Sequence, residues 1–268
     1  MTGVQTCALP IFGRGSAHCL SVIHRLGLPL KGGDVMSNGR RRGRAMRPKR
    51  LALTEELLPK LALSVVTDDR GELVPLELAA LFDSAPRDIW LEIGFGAGEH
   101  LVAQARANPD VGLIGCDPFF EGVGKLLSQI DAEGLKNIRI FPGEARRLIS
   151  ALPVACLGKV FALFPDPWPK KRHHKRRLVN RGFLDALARV MCDDGEFRLS
   201  TDHDEHGRWL LGFLLRHEAF SWTARGPGGW RARPADGVLT RYEQKALAAD
   251  RTCIYLQFKR RKIGSRSL

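Results

Sequence analysis

The segment LEIGFGAG, residues 91–98, joins an apolar strand pattern to a glycine-rich turn. Its glycines carry no Cβ, so the backbone there can turn sharply and approach a bound molecule closely. A helical pattern follows over residues 98–107. The segment therefore predicts the first strand–turn–helix unit of a ligand-binding α/β domain.

Strand and helix patterns alternate along the chain on both sides of this unit. We expect further strands at residues 111–116, 137–141, 159–164 and 196–200, with helices between them, and two closing strands at 220–224 and 252–259. A Gly/Pro-rich insertion separates the closing strands. Successive β–α units of this length predict a mostly parallel, doubly wound sheet with helices on both faces.

Four acidic residues fall where ligands of such sheets bind, at the carboxyl ends of successive strands. They are Glu92, Asp117, Glu144 and Asp166. Each alone could be a helix cap or a solvated surface acid, but four at successive strand ends favour a site. The G-x-G-x-G spacing of Gly94, Gly96 and Gly98, with an acid before it, suits a cationic amino-acid ligand better than a pyrophosphate. The pattern therefore favours S-adenosylmethionine over NAD, with Asp117 expected at the ribose hydroxyls and Glu144 at the adenine end.

A proline-rich turn follows the fourth strand and leads into a strongly basic run. Prolines in FPDPWPK, residues 164–170, fix φ and should hold Asp166 and Trp168 in one pose. Six of the eight residues 170–177 are Lys or Arg, which suits a polyanion. Trp168 could stack on an RNA base or pack as a lid, and both interpretations stay open. An acid held beside a phosphate-binding surface indicates chemistry on a nucleic acid.

Composition limits the class of protein further. The 268 residues carry a net charge of +13 and six scattered cysteines without a C-x-x-C pair. The charge favours a nucleic-acid partner, and the cysteine pattern favours a reducing cytoplasm without a metal site. No apolar run reaches the length of a membrane helix. H-x-x-H at His203 and His206 is interpreted as surface histidines at a helix start.

The first residues have a different character from the rest. MTGVQTCALPI, residues 1–11, resembles a translated sequencing adapter, so we expect residues 1–35 to be an artefactual extension; a signal peptide is the alternative. Residues 40–50 contain seven Lys or Arg. Residues 36–52 are therefore expected to form a flexible basic arm, and residues 53–268 the folded domain.

Several motifs together closely resemble the tRNA (guanine-N7-)-methyltransferase family. They are LEIGFGAGEHLV, GCDPFFEGVGKLL, FPDPWPKKRHHKRRLV, FRLSTDH and TRYEQKAL, in family order from about residue 53 to the C-terminus. The resemblance implies a Rossmann-like class I methyltransferase fold with a seven-stranded sheet. It also implies methyl transfer from S-adenosylmethionine to N7 of guanine 46 in the variable loop of tRNA. We expect the protein to be a cytoplasmic monomer or weak homodimer.

The resemblance also assigns roles to individual residues. It implies that Glu92, Asp117, Glu144 and Asp166 bind S-adenosylmethionine, and that Asp166 is catalytic. Its substrate-binding positions are Lys170, Asp202, Thr240, Arg241, Tyr242 and Glu243. The family often has Glu and Asp, respectively, where this chain has Asp117 and Glu144, which changes reach by one methylene. Rival interpretations are a methyltransferase for another acceptor, such as an exocyclic amine, and a non-catalytic RNA-binding protein.

Overall fold

A computed structural model describes residues 46–262 of the chain. The expected extension of residues 1–35 and most of the expected basic arm of residues 36–52 lie outside this range. The fold of the described part is a single sheet covered by helices on both faces.

Seven strands form the sheet, in the order β3-β2-β1-β4-β5-β7-β6. Strands β1 to β5 are parallel, and β7 is antiparallel to both of its neighbours. This architecture confirms the predicted fold class. The strands are β1 (Asp88–Ile93), β2 (Val111–Cys116), β3 (Ile138–Phe141), β4 (Leu157–Leu163), β5 (Met191–Thr201), β6 (Phe220–Trp222) and β7 (Ile254–Arg260).

Nine α-helices occur within residues 46–262, together with two short 3₁₀ helices at Leu78–Leu81 and Lys171–Arg176. The α-helices are α1 (Pro48–Glu56), α2 (Leu58–Leu61), α3 (Glu99–Ala107), α4 (Phe120–Glu133), α5 (Ala145–Ala151), α6 (Arg181–Val190), α7 (Asp204–Leu215), α8 (Gly228–Arg231) and α9 (Arg241–Ala248).

The central strands are apolar because both faces of the sheet are covered. All six residues of β2 are buried. Neighbouring residues of β1 point to opposite faces, so Trp90 packs in one apolar cluster and Leu91 in the other. Two layers of helices thus hold the strands rigidly and align their carboxyl ends along one edge.

The structure differs from the sequence expectation at the end of the basic arm. Helix α1 begins at Pro48, inside the segment of residues 36–52 that was expected to form a flexible arm. Proline is suited to the first position of a helix, and apolar side chains of α1 pack beside α4. Leu53 and Thr54 are both buried. Residues 48–52 therefore form the first part of a helix that belongs to the folded domain.

Two further differences concern the C-terminal third of the chain. The Gly/Pro-rich insertion contains two helices, α8 and α9, that the pattern did not predict. Strand β5 begins at Met191, five residues before its expected start, because Met191 pairs with Leu157 beyond a register shift between β4 and β5.

Candidate active site

The glycine-rich loop lies between β1 and α3. Gly94, Gly96 and Gly98 have φ values of 75°, 60° and 90°, a region that side chains with a Cβ rarely adopt. Helix α4 also comes close to this loop, since a Cβ on Gly122 would lie 2.1 Å from the carbonyl oxygen of Gly96. The loop therefore has its shape only because both segments lack side chains at the point of contact.

Asp117 directly follows β2 and is joined to the glycine loop. One carboxylate oxygen accepts the backbone N–H of Gly96 at 2.9 Å, and the other accepts that of Phe119 at 2.8 Å. Burial raises the pKa of Asp117 to about 6, against the lowering effect of these two N–H donors; the negative charges of Glu92 and Asp166 raise it further. Each oxygen keeps a lone pair for another donor.

Glu144 and Asp166 stand at the ends of β3 and β4. Glu144 precedes α5 but makes no side-chain capping bond to it. Asp166 lies on the exposed rim of the site, where partial burial raises the pKa of its carboxyl. The carboxylates of three successive strands thus face one space.

That space is a cleft of about 400 Å³ at the carboxyl edge of the sheet. Its volume falls in the usual range of small-molecule sites. Its walls include residues from the glycine loop, from three strand ends and from α9: Gly94, Gly96, Asp117, Glu144, Asp166, Trp168 and Tyr242. The cleft can therefore bind a nucleoside-sized ligand between acidic and aromatic side chains.

Glu92 does not line this cleft. It is buried, and its carboxylate pairs with Nδ1 of His100 at 2.8 Å. Nε2 of His100 is in turn 3.4 Å from the side-chain nitrogen of Gln104, which donates to the carbonyl oxygen of Asp236 at 2.8 Å. Glu92 therefore supports the base of the glycine loop in this structure, and its contact with a ligand stays a prediction.

The predicted substrate residues of α9 divide between two environments. Tyr242 lies over the glycine loop, where a Cβ on Gly96 would be 3.3 Å from its ring. Glu243 is buried and accepts the hydroxyl of Tyr255 at 2.5 Å, with Arg233 at 3.3 Å. Thr240 caps the helix by accepting the N–H of Glu243, whereas Arg241 is exposed and lies 3.8 Å from Glu99.

Asp202 lies apart from the cleft. Its carboxylate pairs with Arg251 at 2.8 Å and faces a separate open surface beside α7. Lys170 is exposed and immediately precedes the basic 3₁₀ helix. The structure thus brings Asp117, Glu144, Asp166 and Tyr242 together, and it leaves Asp202 and Lys170 outside the cleft wall.

One residue of the basic run lies in a different environment from the one that its sequence predicts. Lys171, Arg172 and Lys175 of the 3₁₀ helix are exposed and Arg176 is half-buried, but Arg177 at its end is completely buried. An expectation that all six charges of this run meet phosphates is therefore wrong for Arg177. Trp168 packs against its neighbours here, with the Arg176 guanidinium 5.0 Å from its ring centre and His173 edge-on at 5.7 Å.

Between residues 46 and 262, no group of three His, Cys, Asp or Glu side chains converges as metal ligands would. None of the helices in the same range is long and apolar enough to cross a membrane.

Comparison with known proteins defines the class of this site. A family model described as "Putative methyltransferase" matches residues 86–256, which span the glycine loop, the cleft and most of the sheet. Together with the parallel sheet and its acidic carboxyl edge, this match identifies the class as a Rossmann-like methyltransferase.

Curated relatives narrow the class to one family. A tRNA (guanine-N(7)-)-methyltransferase from Rhodospirillum rubrum is 50% identical over 228 residues, which cover 85% of this chain and 89% of that protein. Its counterpart from Ruegeria sp. is 44% identical, over 83% of this chain and 86% of that protein. The chain belongs to the tRNA (guanine-N(7)-)-methyltransferase family.

Proposed function

We propose that this protein transfers a methyl group from S-adenosylmethionine to N7 of a guanine in tRNA, at position 46 of the variable loop. The observation that carries the proposal is the cleft in which Asp117, Glu144 and Asp166 meet beside an exposed basic helix. Family membership supports the same reaction.

The cleft fits the methyl donor in shape and in charge. Gly96 has no Cβ, so a ligand can come closer to the backbone here than it could at any other residue type. Asp117 has free lone pairs that can accept hydrogen bonds from ribose hydroxyls. The carboxylate of Glu144 makes no capping bond to α5, so it can accept a hydrogen bond from an exocyclic amine. Bound here, S-adenosylmethionine supplies an electrophilic methyl group on a positively charged sulfonium.

Guanine N7 makes modest demands on the protein. It has an in-plane lone pair and carries no proton, so no side chain has to act as a general base. The residues of the chain have to align the two reactants, a contribution of about 7–11 kcal/mol when alignment is complete. They also have to stabilise the positive charge that grows on the guanine ring, which a nearby carboxylate does directly.

Asp166 is the carboxylate best suited to this second task. It lies on the rim of the cleft, beside Trp168 and next to the basic helix, and its oxygens accept hydrogen bonds when ionised. We therefore assign Asp166 the catalytic role and the contact with the guanine edge. Glu243, buried close by, would orient the base or the aromatic side chain of Tyr255.

RNA would bind across the surface next to the cleft. Exposed Lys and Arg side chains of the 3₁₀ helix continue from Lys170, so phosphates bound there bring a neighbouring nucleotide to Asp166. Tyr242, with 58% of its surface exposed, and Trp168 offer aromatic faces for an unstacked base. Asp202 and Arg251 would take part only as an ion pair on the separate surface beside α7.

The proposal is tested with unmodified tRNA and a labelled methyl donor. The labelled nucleoside is then identified and mapped, with a transcript that carries adenine at position 46 as control. We expect 7-methylguanosine at position 46 and no label in the control transcript. Label on an exocyclic amine would refute the N7 assignment, and label in the control transcript would refute the position.

A further inference from the structure

Arg177 is a cation that no solvent reaches. Its side chain has 0% exposure, although three of the four Lys and Arg residues in the preceding 3₁₀ helix are exposed. A buried charge is unfavourable unless hydrogen bonds and an opposite charge satisfy it. The partners of Arg177 therefore indicate why the charge is retained.

All three nitrogens of the guanidinium are used. Nε donates to the carbonyl oxygen of Pro167 at 2.8 Å, while Nη2 lies 3.4 Å from that of Trp168 and 3.0 Å from Nε2 of His174. Nη1 and Nη2 both donate to the carboxylate of Glu205 on α7, the first at 3.0 Å. The plane of the group lies over Trp209, 4.7 Å from its ring centre. Arg177 thus connects a turn of the cleft to a helix behind it.

The turn that Arg177 holds is the one that carries Asp166. Its two aromatic residues, Phe164 and Trp168, have φ values of 52° and 42°, a conformation that bulky side chains rarely adopt. The start of the turn is fixed by a hydrogen bond from the N–H of Phe164 to the carbonyl oxygen of Ser200 at 2.8 Å. The carbonyl groups of Pro167 and Trp168, which follow Asp166 in the turn, both face Arg177.

We propose that Arg177 is a positioning residue that fixes the Asp166 turn, with Glu205 as its counter-charge. This inference rests on the proposed catalytic role of Asp166. The guanidinium fork is required because it reaches two adjacent carbonyl groups and a carboxylate at once, which an ammonium group on a flexible stem does not. Surface charges of the basic helix contact RNA, whereas Arg177 acts through the backbone.

Arg177→Lys and Glu205→Gln in the full-length protein test this inference. We expect Arg177→Lys to lower kcat for tRNA methylation by about 100-fold, because small displacements of a reacting group have effects of that size. KM for tRNA and the affinity for S-adenosylmethionine should change much less, since most of the cleft wall, including Asp117, Glu144 and the glycine loop, does not depend on Arg177. Glu205→Gln should lower kcat less, because the amide keeps one acceptor oxygen for the guanidinium.

Arg260→Lys provides a matched control. Arg260 is also buried, donates to the carbonyl oxygen of Ala188 at 3.1 Å and pairs with Asp193, but it lies at the opposite edge of the sheet. We expect Arg260→Lys to lower the melting temperature and leave kcat unchanged. Wild-type kcat in Arg177→Lys, or equal losses of kcat in both variants, would overturn the positioning role. Absence of tRNA methylation by the wild-type protein would instead overturn the proposed function.

Discussion

Affinity for S-adenosylmethionine should depend on the charge of Asp117. Its pKa is raised to about 6 by burial and by the neighbouring acids, so the carboxyl takes up a proton as pH falls through 6. A protonated carboxyl neither accepts hydrogen bonds as strongly nor attracts a sulfonium. Binding should therefore be strongest above pH 7 and weaken as pH falls.

The size of this effect follows from the titration. With a pKa of about 6, the ionised fraction of Asp117 falls about tenfold between pH 7 and pH 5. If only the ionised form binds, Kd rises by the same factor, which corresponds to about 1.4 kcal/mol. Near pH 6, binding should also release about half a proton per site, because the bound sulfonium holds Asp117 in its ionised form.

Isothermal titration calorimetry at pH 5, 6 and 7, in buffers of different ionisation enthalpy, measures both quantities. Asp117→Asn is the control, and it should bind weakly with no dependence on pH in this range. Circular dichroism confirms that each sample is folded at pH 5. Equal wild-type affinity at pH 5 and pH 7 would refute the reasoning, and an unchanged pH dependence in the Asn variant would assign the titration to another group.

Three other experiments test the remaining parts of the site. Asp166→Asn should reduce kcat by about 100-fold, as loss of one charge-stabilising group does, with tRNA affinity unchanged in filter binding; full activity would exclude the catalytic role. Gly96→Ala and Gly71→Ala should each lower the free energy of unfolding by about 1 kcal/mol, since both glycines have positive φ. Only Gly96→Ala should also weaken S-adenosylmethionine binding in calorimetry. Equal affinities of the two variants for the cofactor would contradict a close approach of the ligand to the backbone of Gly96. Replacing three exposed charges of the basic 3₁₀ helix with Gln should make the slope of log K for tRNA binding against log salt less steep by about 2 units. The three are Lys171, Arg172 and Lys175. An unchanged slope would show that these charges do not bind phosphates.

The sheet and the cleft could be predicted because both depend on local patterns. Apolar runs of five or six residues are typical of covered parallel strands, and the carboxyl ends of such strands necessarily meet at one edge. Asp117, Glu144 and Asp166 therefore lie together in the structure as the sequence predicts. Their assigned contacts with the cofactor stay predictions.

Other features depend on contacts between distant residues, which no local pattern encodes. Asp202 pairs with Arg251, 49 positions further along, and this pairing turns it away from the cleft. In the basic run, six similar charges gave no sign that Arg177 alone is buried. The burial of Glu92 against His100 likewise depends on how α3 packs on β1.

Helix α9 is a case in which a local signal existed. Thr240 and Glu243 have the T-x-x-E spacing of a capping box, which predicts a helix start at this point. In the structure Thr240 does cap the helix through the N–H of Glu243. Apolar periodicity does not predict this helix, because only Glu243 and Ala246 of its residues are buried.

The position of β7 has a consequence for the order in which the chain folds. β7 is last in sequence among the described strands but lies between β5 and β6, so β6 has no neighbour there until β7 arrives. Tyr255 of β7 also supplies the hydroxyl that binds Glu243. A nascent chain on the ribosome can thus assemble five parallel strands early, while the last edge and the surroundings of Glu243 form only after residues 254–260 have emerged.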